Sequence, residues 1–228
     1  MTPSETRPAA TVILLKDGAS GPETWLMERN RTLGFMAAAW VFPGGRVDAE
    51  DAALPGRGGD FQSIGRPSWI AAARELEEEA GVRLGDAAGY DLDLLRVWAH
   101  WVTPEIEPRR YDTWFFVARL PAGAVARADG GEATRGDWFR PEEAIERCNA
   151  GNLPLAPPTL RTLLELMPFA SVEAILAAPR RTPIIQPCFK QEGDTLFVLL
   201  PGDPEHPSLD AVEPPFRYAF DAGRWWSR

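Results

Sequence analysis

Three glutamates, Glu75, Glu78 and Glu79, stand within five positions of one another in the run RELEEEAGV, Arg74 to Val82. Residues three and four apart share one side of a helix, so the three acids can line a common side. Ala72, Leu76 and Ala80 mark another side, suited to packing on a sheet. Clustered carboxylate oxygens suit a hard divalent cation, and such a cation beside an activated water and a charge clamp can cleave a phosphoric anhydride. Upstream lies VFPGGRV, Val41 to Val47, where Pro43 stiffens the chain and Gly44 and Gly45 permit close backbone approach or positive φ. Taken alone, a glycine pair is an ordinary turn signal and an acidic helix an ordinary solvated face. Together they make a reasonable way to present divalent metal to a phosphate-bearing substrate.

The elements that must position these groups are legible around them. Ala9–Leu15 reads as a buried strand, Lys16–Pro22 as a turn and Trp25–Arg29 as the returning strand. Arg31–Ala39 leads to an extended approach and a glycine turn at 43–45. An acidic, glycine-bearing excursion from Asp48 to Pro67 crosses the surface, and Ser68 offers an N-cap for a helix over 69–80 that Gly81 stops. Arg96–Thr103 and Tyr111–Leu120 read as strands that supply the central core. A glycine-rich loop at 129–132 precedes helices at 141–149, 159–166 and 171–178, with Pro141 suited to a first helical position. Beyond Pro179, where prolines become frequent, 196–200 and 214–220 read as short strands. The fold class is α/β, with a mixed sheet. No internal repeat is visible.

The composition narrows the function classes. The chain has 228 residues, 45% apolar and 10% aromatic, enough to fill one sizeable core. A formal charge of −9 and the lack of a Lys/Arg-rich block disfavour a nucleic-acid backbone as partner, while leaving room for a nucleotide held through metal and local arginines. Two cysteines, Cys148 and Cys188, form neither a disulfide framework nor a cysteine metal site. The first residues lack the apolar core of a signal peptide, and no run approaches a membrane span. A soluble cytoplasmic protein is expected.

The glycine and glutamate runs resemble the box of the Nudix hydrolase family: glycine, five residues, an acid, seven residues, then R-E-aliphatic-any-E-E-any-G-aliphatic. Gly45, Asp51 and Arg74–Val82 match it, but 22 residues rather than seven separate Asp51 from Arg74. The excess of 15 sits between loop and helix, where it leaves the helical acids in register. The resemblance implies an α/β/α sandwich and a divalent-metal-dependent diphosphatase acting on a nucleoside diphosphate linked to another moiety. By matching positions, Glu78 and Glu79 become the principal Mg²⁺ or Mn²⁺ ligands, Glu75 a further ligand or water-activating base, and the Gly44 carbonyl a ligand. Arg74 orients the glutamates, and Asp51 stands where the family usually has glutamate. A further loop carboxylate is expected at Glu132, with Glu105, Glu107 and Asp112 as competitors.

A narrower resemblance, carried by LGFM (33–36), WVFPGGRVD (40–48), WVTPE (101–105), RRYDTWFF (109–116) and LAPPT (155–159), is to the branch that includes coenzyme A diphosphatases. It implies a hydrolase domain over 8–168 with a loop insertion at about 52–67, and an extension over 169–228 packed on it. Arg109 and Arg110 are then candidates for phosphate, and Trp101, Tyr111 or Trp114 for the base or pantetheine. The same residues also read as surface charge and strand core. ADP-ribose or NADH as substrate, or a catalytically silent nucleotide-binding protein, are the alternatives. His100 reads as a core or strand-edge residue, His206 has no partner motif, and neither cysteine has a thiol-activating neighbour. The aromatic-rich tail and the resemblance leave room for a homodimer.

Overall fold

The computed structural model describes residues 4–30, 39–61, 64–131, 133–208, 212–221 and 224–227. Strands β1 (Thr6–Gly18) and β2 (Gly21–Arg29) form an antiparallel hairpin with Leu15 opposite Thr24. Along β1, Ala10, Val12 and Leu14 enter one core and Ile13 and Leu15 another. Both faces of the sheet are covered, which is why the run is continuously apolar rather than alternating. Strand β3 (Trp40–Val41) pairs with β2, and β4 (Gly44–Arg46) with Ala9–Thr11 of β1. The expected glycine turn is therefore a strand. Gly44 and Gly45 are not among the positive-φ glycines; it is close packing that excludes a side chain there.

The excursion expected after Asp48 forms a 3₁₀ turn, Ala49–Ala52, then β5 (Gly56–Arg57), and enters helix α1 (Arg66–Ala80). The helix starts earlier than an N-cap at Ser68 would place it. Gly65 occupies the cap and Pro67 sits in the first turn, where its missing N–H leaves no helical bond unmade. Gly81 ends it as expected, at φ 66°, its N–H donating to the Glu77 carbonyl at 3.0 Å. Strands β6 (Gly85–Asp86) and β7 (Gly89–Asp91) follow, and β5, β7 and β6 make a small sheet of their own. Arg66 donates to the carbonyls of Ala52 and Leu54, while Arg57 bridges Asp86 and Asp91.

Strands β8 (Leu95–Val102), β9 (Arg110–Arg119) and β10 (Ala133–Phe139) complete most of the large sheet, whose order is β10-β2-β1-β9-β8. Strand β10 was not apparent in the sequence because Gly136 interrupts its pattern. A Cβ there would lie 2.7 Å from Trp25 Cε2, so the glycine marks tight packing across the β2 pair. Helices α2 (Pro141–Asn149), α3 (Pro157–Leu166) and α4 (Val172–Ala177) cover the face opposite α1. This is the α/β/α layering the resemblance implied.

The tail adds β11 (Ile184–Ile185), parallel to β8 at the edge of the large sheet, and a second sheet of β12 (Cys188–Glu192), β13 (Thr195–Leu199), β14 (Arg217–Asp221) and β15 (Arg224–Ser227). Val198, Leu200 and Tyr218 of the tail share one core with Trp98, Leu160 and Leu163. Buried Arg161 of α3 donates to the Glu213 and Pro215 carbonyls and fastens the segment between β13 and β14. Among the described residues, no helix is long and apolar enough to cross a membrane.

Candidate active site

The helix α1 turns its small and aliphatic residues onto the sheet and brings Arg74 to the seam with the Asp48–Asp51 turn. Asp51 is fully buried and takes both Arg74 Nε–H, at 2.7 Å to Oδ1, and Nη2–H, at 3.1 Å to Oδ2. Arg74 Nη1 donates at 2.8 Å to both Glu75 Oε1 and Glu78 Oε2, and Nη2 reaches the Arg46 carbonyl at 2.9 Å. Asp51 Oδ2 also accepts the Asp48 N–H at 2.8 Å, which closes the turn on itself. The Asp51 bonds, with the charge of Glu75 beside them, hold the guanidinium pKa above the usual arginine value. One permanently charged planar group thus orders two of the three helical acids and ties them to the loop.

Glu79, the third acid, is buried, and its Oε2 accepts the Gly44 N–H at 2.7 Å. The two glycines make this approach possible in different ways. A Cβ on Gly44 would lie 2.5 Å from the Ala10 carbonyl oxygen and 2.7 Å from Thr11 Cα, so it would collide with β1 itself. A Cβ on Gly45 would lie 2.5 Å from Glu75 Cδ, so it would displace the carboxylate. Glu77, at the variable position of the run, turns away: it accepts from Arg83 Nη1 and from the Tyr90 hydroxyl. Burial, with that bond, pushes the Tyr90 hydroxyl up to about 12.

The strand register carries this arrangement across the sheet. Gly45 is opposite Ala10, Ala10 beside Trp114, Trp114 opposite His100, and His100 beside Ile184. Ala10 and Trp114 belong to the α1 face, so the whole row looks to that side. His100 stacks on Trp114 with ring centroids 3.8 Å apart, and its Nε2 meets Asp112 Oδ1 at 2.5 Å. Sequence reasoning treated Asp112, Trp114 and His100 separately. The alternation of Asp112 and Trp114 along a strand was the available signal that they share a face.

The structure therefore gathers Arg74, Glu75, Glu78, Glu79, Gly44 and Asp51 at one seam. It does not bring Trp101 there: that side chain is buried in the opposite core, among the residues facing α2 and α3. Arg110 is buried and donates to the Thr103 and Ser4 carbonyls, a structural assignment that leaves it turned to backbone rather than to phosphate. Arg109 is exposed in the β8–β9 turn, and Tyr111 lies on the strand register opposite in facing to Asp112. Glu105 and Glu107 belong to that same turn. Glu132, like the 33–36 run, lies outside the described residues. Among the described residues, no three His, Cys, Asp or Glu side chains converge as metal ligands. Arg74 Nη1 stands between Glu75 and Glu78.

A model of the NUDIX domain matches residues 5–163. Acyl-coenzyme A diphosphatase NUDT19 of Homo sapiens is 27% identical over 88% of this chain and 80% of its own length. The Xenopus laevis protein of the same name is 31% identical over 50% of this chain and 33% of its own length. The crystal structure of a NUDIX hydrolase from Alicyclobacillus acidocaldarius superposes with a TM-score of 0.68 at 26% identity, covering 79% of this chain and 99% of that one.

Proposed function

We propose, from the premise that this chain belongs to the Nudix family, that it is a divalent-metal-dependent pyrophosphohydrolase whose substrate is coenzyme A or an acyl-coenzyme A. The observation that carries the reading is the single seam at which Arg74 orders Glu75 and Glu78 while Glu79 reaches Gly44. The substrate class is supported by the similarity to acyl-coenzyme A diphosphatases over most of the chain. Residues 8–168 form the hydrolase unit in this reading, and 169–228 an extension that completes its core.

The donor set fits Mg²⁺ or Mn²⁺: three carboxylates and a backbone carbonyl, with no thiolate or imidazole among them. Glu75, Glu78, Glu79 and the Gly44 carbonyl would hold the ion. The Glu78 side chain is 57% exposed, so leaving its ion pair with Arg74 costs only about 0–1 kcal/mol. When bound, the metal supplies a Lewis acid for the pyrophosphate oxygens and a more acidic water. The chain's own contribution is order. Asp51 fixes Arg74, Arg74 fixes Glu75, and the Glu75 carboxylate accepts the proton of the attacking water. A new P–O bond forms to that water as the bridging P–O bond breaks, releasing phosphopantetheine or its acyl form and adenosine 3′,5′-bisphosphate.

The test is a panel of coenzyme A, acyl-coenzyme A, ADP-ribose, NADH and nucleoside triphosphates with each metal, products identified by mass. Coenzyme A compounds should be cleaved, and Glu78→Gln and Glu79→Gln should lose turnover far more than stability. Full turnover in both variants would sink the metal assignment. Cleavage of ADP-ribose or NADH alone would replace the substrate, and metal-dependent binding without any cleavage would favour a silent binding protein.

A further inference from the structure

Isolated apolar side chains on a surface need no explanation, but grouped ones do. Ile106, Ile184 and Phe189 are 78%, 54% and 36% exposed, and all three line one groove of about 480 Å³ together with Pro104, Pro187 and Pro207. The groove is built where the β8–β9 turn, the edge strand β11 and the start of the tail sheet meet. Its volume falls in the range of small-ligand sites.

The position of Ile184 connects this groove to the glutamate seam. Ile185 enters the core beneath α2 and α3, so its neighbour Ile184 faces the α1 side, next to His100. The row Gly45, Ala10, Trp114, His100, Ile184 therefore runs on one face from the carboxylate of Glu75 to the groove. Four strand spacings separate its ends, about 19 Å. The arm of coenzyme A between its phosphate and its sulfur, reckoned as an extended backbone with the same number of bonds, reaches about 15 Å. His100 is only 9% exposed and Trp114 is half-buried, so a pyrophosphate held at the glutamates and an arm passing over the open part of Trp114 would bring the thioester sulfur toward Ile184, about 4 Å short of it by these lengths.

We infer that the groove between Ile106, Ile184 and Phe189 binds the acyl chain of an acyl-coenzyme A substrate, so that the tail of the chain helps set substrate preference. This rests on the coenzyme A reading above and extends it to the acyl group. An acyl chain suits the lining because aliphatic carbon is what these side chains and prolines can desolvate. Glu105 and His206 also line the groove and make part of its lining polar.

The experiment measures kcat/KM for coenzyme A and for its acetyl, hexanoyl and dodecanoyl thioesters, in the full chain and in Ile106→Asp, Ile184→Asp and Phe189→Asp, with sedimentation and thermal unfolding of each. The parent should favour the longer chains. Each variant should lower the dodecanoyl-to-free ratio about tenfold, the effect of roughly two methylenes left unburied. Ile106 stands in an exposed turn, so its variant keeps the test alive if either strand variant fails to fold. An unchanged chain-length profile in folded variants overturns the groove assignment while the coenzyme A reading stands. So does a dimer that Ile184→Asp converts to monomer with the profile intact, which would make the groove an interface between copies. If the parent cleaves no coenzyme A compound, the functional reading falls first and the groove assignment with it.

Discussion

Replacing Asp51 by alanine tests whether the seam is held by a buried ion pair. Asp51 has no exposed surface, and Arg74 keeps 13% of its side chain exposed, so the pair at 2.7 and 3.1 Å is largely withdrawn from water. Removing one partner of such a pair typically costs about 3–5 kcal/mol, because the other charge stays buried. Arg74 would retain Glu75 and Glu78 as counter-charges, which places the expected loss near the lower end, about 3 kcal/mol. For a chain of this size that corresponds to a fall in Tm of about 6–12 °C. Asp48 is the internal control: it lies 3.8 Å from Arg74 with 48% of its side chain exposed and caps the 3₁₀ turn, so its alanine variant should lose only the cap and a weak surface pair, about 1 kcal/mol. Urea and thermal unfolding, followed by circular dichroism and tryptophan fluorescence, give both values. A double-mutant cycle with Arg74→Ala isolates the coupling. If Asp51→Ala is as stable as the parent, or no worse than Asp48→Ala, the seam is not held in this way, and the order attributed to Glu75 and Glu78 loses its source.

The two glycines should separate stability from chemistry. Gly44→Ala drives a methyl into the β1 backbone and should destabilise by about 2 kcal/mol, whereas Gly45→Ala should cut turnover more sharply than it lowers Tm because its methyl meets the Glu75 carboxylate; equal losses of both kinds in the two variants would contradict the assignment. In the tail, the Arg217 bonds to Asp203 hold that carboxyl below the usual carboxylate range. Its stabilising contribution is therefore present above the unfolded pKa of about 4 and is lost as pH falls through the lower folded value. Asp203→Asn should cost about 2 kcal/mol at pH 7 and progressively less below about pH 4, so a variant whose Tm deficit is constant with pH would refute the linkage.

The helical acids, their arginine and the stop at Gly81 were readable because a helix converts sequence spacing directly into shared facing. The hairpin, the strands over 96–103 and 111–120 and the three later helices were readable for the same local reason. What was not readable depends on contact between distant segments. Gly44 and Gly45 look like a turn in sequence, and only the approach of β1 on one side and Glu75 on the other makes them a strand. Gly136 hid β10 because its purpose is to clear Trp25. Trp101 and Arg110 carry residue types that suit a nucleotide, yet strand alternation sends the first into the opposite core and backbone carbonyls claim the second. The Asp112–His100–Trp114 group required the β8–β9 register, which no single stretch encodes.

The excursion between the 3₁₀ turn and α1 is pegged at both ends. Arg66 grips Ala52 and Leu54 on its near side, and further along Gly59 donates to Asp93 while Phe61 packs edge-on to Trp69. The span between these pegs reaches outward at Gly58 and Asp60, both exposed. Lengthening a loop whose ends are already fixed adds little closure entropy, about 0.6 kcal/mol per doubling. The exposed Asp60 is thus a natural splice port: a fluorescent protein or affinity module grafted directly after it would leave the Gly59–Asp93 bond in place and ride outside the glutamate seam, offering a reporter that leaves its own host's chemistry alone.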